Sequence, residues 1–121
     1  MQDPIQGTNG LIRIRNAIYY SFSGLAATYR HEAAFRQEFW LALVLVPLAL
    51  WLTHDRISRV LLISSVLLVL LMELINSAIE ATVDRISDER HPLAKRAKDI
   101  GSAAVFISIV NVVVVWGFIL V

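Results

Sequence analysis

The chain has no cysteine. That excludes disulfides, thiolate metal sites and thiol nucleophiles, and it leaves the redox compartment unread. Charge is scarce as well: Asp, Glu, Lys and Arg make up 17% of the residues, against about 25% in soluble domains. The formal net charge is +1, which provides no basic footprint for a nucleic-acid partner. There is no Gly-x-x-x-x-Gly-Lys-Ser/Thr and no Gly-rich loop of the protein-kinase kind, so neither usual phosphate cradle is present. His31, His54 and His91 are scattered and show no metal-ligand spacing. The first ten residues, MQDPIQGTNG, are polar. They lack a basic n-region followed by an apolar h-region, so no cleavable signal peptide is expected.

What the chain has instead is apolar sequence. Hydrophobic residues reach 57%, above the 45–50% usual for soluble domains of about this kind, and mean hydropathy is +0.65. That balance points to a bilayer. At 121 residues the length fits one domain. Three segments carry the apolar character: Phe39 to Leu52, Val60 to about Val83, and Ile100 to Val121. The first is short, covering about 21 Å of a roughly 30 Å hydrocarbon core. It spans only if its helix starts near Ala33, with Arg36 and Glu38 snorkelling or facing other helices. Transmembrane helices are therefore expected over about 33–53, 60–83 and 100–121.

Upstream, Ile14, Ile18, Phe22 and Leu25 recur at three- or four-residue spacing, which predicts an amphipathic helix over about 11–29 lying on the membrane surface. The tail 1–10 is assigned no role. Nine of the eleven Lys and Arg fall either before the first segment or between the second and third. The positive-inside rule makes that side cytoplasmic, with the N terminus inside.

The segment MELINSAIEATVD, Met72 to Asp84, is the part that apolar patterning does not explain. On a helix, Glu73, Asn76, Ser77, Glu80 and Asp84 fall on one stripe. Carboxylates in hydrocarbon are costly and should face a cavity or other protein. Counted from Val60, Glu73 lies about 20 Å into the membrane and Glu80 roughly 10 Å further, at the cytoplasmic headgroups. A buried acid at the deep end suits a general base, and carboxylates at the wet end suit Mg²⁺, a hard cation that takes oxygen ligands and substrate phosphates. Such a ladder lets a metal-bound phosphate meet a lipid hydroxyl. Its structural alternative is that Asn76 and Ser77 hold helices together while the acids pair with loop cations. Lys98, Asp99 and Ser102, in AKRAKDIGSAA, stand at the next membrane entry. There Lys98 can neutralise phosphate oxygens, or Lys98 and Asp99 simply cap the helix start. Glu32 is a further carboxylate ahead of the first segment.

With these residues in view, the chain resembles the small integral-membrane prokaryotic diacylglycerol kinases. The motifs that carry the likeness are EAAFRQE (Glu32 to Glu38), RVLLISSVLLVLLMELINSAIEATVDR (Arg59 to Arg85) and AKDIGSAAV (Ala97 to Val105). The resemblance implies an all-α integral membrane fold, a surface helix plus three transmembrane helices per protomer, assembled as a homotrimer with shared active sites. It implies transfer of the γ-phosphoryl of MgATP to diacylglycerol, giving phosphatidic acid in phospholipid recycling at the bacterial inner membrane. Carried over residue by residue, Glu73 matches the catalytic base and Glu32 and Glu80 the metal-binding carboxylates, which also face the nucleotide. Arg13, Tyr20, Glu89, Arg90, His91, Lys98 and Asp99 match nucleotide contacts. Ser102, and again Arg13, match substrate contacts, and Asn76 and Asp84 support the site. Asn16 and Ser23 stand where lysines are expected, which weakens headgroup contacts. Undecaprenol kinase of the same fold and a non-enzymatic oligomer or channel are the alternatives. Polar residues confined to one half of the second segment favour a site over a pore.

Overall fold

The computed structural model describes residues 9–86 and 91–121. Among them the chain forms four helices: α1 (Gly10–His31), α2 (Ala33–Leu52), α3 (Arg56–Ile86) and α4 (Pro92–Leu120). The last three are long and apolar enough to cross a membrane, and the protein is a membrane protein built from them.

Local chemistry sets the boundaries, and it extends two helices beyond the apolar runs. Asn9 Oδ1 accepts from the Ile12 N–H at 2.9 Å and starts α1. Asp55 Oδ2 accepts from both the N–H (2.9 Å) and the hydroxyl (2.8 Å) of Ser58, so α3 begins at Arg56 rather than Val60. These bonds, the backbone one first, hold the Asp55 carboxyl below the usual carboxylate range. At α4, His91 Nδ1 accepts from Leu93 N–H at 3.0 Å and Pro92 opens the helix. Lys98 and Asp99 consequently lie in the second turn of α4 and are not its caps.

Each spanning helix turns one stripe inward. On α2 the buried residues are Phe35, Ala42 and Ala49, and on α4 they are Gly101 and Ser108, each series spaced by seven. On α3 they are Leu62, Ser65, Val66, Val69 and Glu73, a three-and-four spacing along one face. α3 packs along α4 and against α2, while α1 touches the start of α2. Small residues on these stripes allow close backbone approach, as membrane helices require. The buried hydroxyls are satisfied locally: Ser65 Oγ donates to Leu62 O at 2.7 Å and Ser108 Oγ to Val105 O at 2.6 Å. Near the far end of α4, the Trp116 indole N–H donates to Ser65 Oγ (3.2 Å) and Leu62 O (3.3 Å), joining α3 to α4.

The α2–α3 turn is held by one side chain. Arg59 Nε donates to Thr53 O at 2.7 Å, and Nη2 donates to Leu50 O at 2.6 Å. Those carbonyls belong to the unsatisfied end of α2. Arg59→Ala is expected to lower unfolding stability in detergent by about 1 kcal/mol, the ordinary net worth of such bonds, and Arg59→Lys by less. Thermal melts of the two variants check this; an unchanged midpoint for Arg59→Ala means that water replaces the clamp.

Candidate active site

The polar ladder of α3 continues its buried stripe. Four apolar or small inward positions lead down to Glu73, which is 8% exposed. Below it, Asn76 and Glu80 are half-buried, and Asp84 reaches the surface. The face that packs against α2 and α4 is thus mostly apolar for three turns and then acidic, with only Glu73, its deepest acid, fully covered by protein.

Across from Glu73, α2 supplies Glu38. The two carboxyl groups are close enough for each to act on the other, and Glu38 Oε2 is buried without a partner among the described residues. Of the two expectations for Glu38, snorkelling or facing other helices, the structure shows the second, but the sequence reading does not include Glu38 in the site. The available signal was its position: three after Phe35 and four before Ala42, on the inward stripe of α2. Glu32 and Glu80 stand close enough for their charges to act on Glu73 as well. An apolar cavity of about 180 Å³ runs upward from Glu38 between the three spanning helices, bounded by Leu41, Leu45, Leu70, Ile109 and Val112 among others.

At the wet end, Asn76 Nδ2 donates to Glu80 Oε1 at 3.3 Å, and Lys98 Nζ pairs with Asp84 Oδ1 at 2.7 Å. The pair ties the ends of α3 and α4 together and holds a cation beside the acids. Asp99 does not join this group: it pairs with Lys95 along α4 at 2.6 Å, on the rim of an open groove with Arg96. Ser102 is exposed, one residue after the buried Gly101. Arg13 and Tyr20 are exposed on α1, and no hydrogen bond or ion pair among the described residues links either to the ladder. His91 caps α4. Glu89 and Arg90 lie outside the described residues.

No three His, Asp or Glu side chains among the described residues form a ready-made metal cage. The oxygen donors that flank Glu73, Glu32 and Glu80, are of the hard kind Mg²⁺ takes, and one or two carboxylates are its usual share when phosphates and water complete the shell.

The description of the prokaryotic diacylglycerol kinase family matches residues 19–120. The chain belongs to that family. It is 54% identical to a diacylglycerol kinase of Pseudomonas aeruginosa, over 97% of this chain and 95% of that one. It is 56% identical to the diacylglycerol kinase of Escherichia coli K12, over 90% and 89%, and 51% identical to that of Haemophilus influenzae, over 93% and 96%. The match spans the whole ladder and all three spanning helices, so the likeness covers the site and not the scaffold alone.

One backbone contact within the family's motif makes a clear demand. A Cβ added at Gly101 would collide with the Asn76 amide, whose other end holds Glu80. Gly101→Ala is expected to displace Asn76 and lower turnover on the order of tenfold. Gly117, with open space around it, serves as the control: Gly117→Ala should leave turnover unchanged. Steady-state rates of the two variants in mixed micelles check the contrast.

Proposed function

We propose that this protein is an ATP-dependent diacylglycerol kinase, transferring the γ-phosphoryl of MgATP to the diacylglycerol hydroxyl to give phosphatidic acid and ADP. The observation that carries the reading is the acid stripe of α3, which starts from buried Glu73 and ends at exposed Asp84 paired with Lys98. The diacylglycerol kinases to which the chain is more than half identical support it.

Glu73 is the general base. As the lipid hydroxyl oxygen bonds to the γ-phosphorus, the bond from that phosphorus to the bridging oxygen of ADP breaks, and Glu73 takes the hydroxyl proton. Phosphoryl transfer asks little covalent chemistry of a protein beyond this and positioning. Glu38 flanks the base, and the cavity above it accepts an acyl chain. Glu32 and Glu80 would hold Mg²⁺, which would supply positive charge to offset that developing on the phosphate oxygens. Asn76 steadies Glu80. Lys98, kept in place by Asp84, neutralises phosphate oxygens. Arg13, Tyr20, Asp99 and the Glu89, Arg90 and His91 loop contact nucleotide, and Arg13 and Ser102 contact lipid.

The same reading makes the protein a homotrimer with sites shared between neighbours, because one protomer leaves the lower ladder too little cover at a depth where an uncompensated charge costs several kcal/mol. α1 lies on the cytoplasmic surface of the bacterial inner membrane. Its exposed Leu11, Ile14, Ile18 and Phe22 enter the lipid boundary.

General-base loss typically costs about 10² to 10⁴ in rate. Glu73→Gln should therefore lower kcat at least about a hundredfold while nucleotide affinity and trimer stability hold. Retained kcat in a stable trimer removes Glu73 from the chemistry. Loss of stability in place of kcat reduces the ladder to helix packing.

A further inference from the structure

Glu32 occupies an unusual place. It is both the C-cap of α1 and the residue before α2, with extended backbone at φ −118° and ψ 110°. Its N–H donates to Thr28 O at 2.8 Å, and its carbonyl accepts from Arg36 N–H at 3.2 Å. Its carboxylate makes no cap bond to α2, and glutamate is not among the residues that helix starts prefer. A residue that breaks a local rule in this way is placed there for another reason.

The elbow around it is braced from one side chain. Arg36, in the first turn of α2, reaches back so that Nη1 donates to Tyr29 O at 2.8 Å and to Arg30 O at 3.0 Å. Both are terminal carbonyls of α1, groups that otherwise lack partners. An arginine at this depth would ordinarily extend toward headgroup phosphates; here its Nη1 donors go to backbone on the far side of Glu32. A second strut runs parallel, the Trp40 indole N–H donating to Tyr29 Oη at 2.8 Å. With the chain held both before and after it, Glu32 has little freedom left in its two backbone dihedrals.

We infer that Arg36 is a positioning residue of the phosphoryl-transfer site: by clamping the end of α1 to the start of α2, it aims the Glu32 carboxylate toward Glu73. The inference rests on reading Glu32 as a metal-binding carboxylate of a kinase.

The test uses the full chain in mixed micelles. Half-saturating Mg²⁺, the KM for diacylglycerol and the thermal midpoint are measured for Arg36→Ala, Arg36→Lys, Glu32→Gln and the Arg36→Ala/Glu32→Gln double variant. Arg36→Ala is expected to raise half-saturating Mg²⁺ about tenfold, with the diacylglycerol KM changed less than about twofold. Arg36→Lys, which keeps an amine donor for the same carbonyls, should restore most of the loss. In the Glu32→Gln background, Arg36→Ala should add little, because both act through one carboxylate. Full additivity in the double variant overturns the inference, as does an equal rise in the KM for diacylglycerol or a fall in the midpoint with unchanged kinetics. A normal Mg²⁺ response in Glu32→Gln overturns the metal role of Glu32 and this inference with it. A normal Arg36→Ala beside an impaired Glu32→Gln overturns the inference alone. If Arg36→Ala does not assemble, Arg36→Gln takes its place in every comparison.

Discussion

A carboxylate placed in the hydrocarbon of a membrane is costly unless protein surrounds it, and most of this molecule can be understood as the means of surrounding Glu73. The inward stripe of α3 delivers it to a face covered by α2 and α4. α2 brings Glu38 close to it, and on α4 Gly101 makes room for the Asn76 amide one turn further along α3. Burial of this kind is tolerated only where it is useful. Here it sets an acid at the inner end of a stripe of polar groups that reaches the exposed Asp84.

The same constraint explains why the two ends of the bundle are held so differently. At the α2–α3 turn, the Arg59 and Asp55 contacts are local, satisfying helix ends and nothing more. At the other end, the contacts converge on the acids: Lys98 of α4 to Asp84 of α3, Asn76 to Glu80 within α3, and Arg36 across the elbow that carries Glu32. One end is built as a hinge pin and the other as a site.

Much of this was legible in the sequence. The three- and four-residue spacing of Glu73, Asn76, Ser77, Glu80 and Asp84 is a helical period, so their common face followed directly. The three spans followed from hydropathy, and the first starts at Ala33 as expected, but the starts of the other two did not follow, because a helix begins at its cap and not where its apolar run begins: Asp55 and His91 are polar residues lying ahead of the runs. Glu38 is not evident as a site residue, because an acid in the charged lead-in to α2 can equally snorkel or face other helices, although the Phe35–Ala42 stripe passes through it. The pairing of Asp99 with Lys95 is an i,i+4 contact that the spacing allowed, and a grouping of Asp99 with Lys98 and Ser102 obscured it. Arg36 belongs to a different class. Its partners are backbone carbonyls brought within reach only by the elbow, and no residue pattern records them.

The central claim is that this acid stripe serves a kinase of diacylglycerol. The most direct measurement is transfer of labelled γ-phosphoryl from MgATP by the purified, assembled protein in lipid, with diacylglycerol and undecaprenol offered side by side. Labelled phosphatidic acid, formed in clear preference to undecaprenyl phosphate, is the predicted result. Preference for undecaprenol, or no transfer to either lipid by intact protein, contradicts the account.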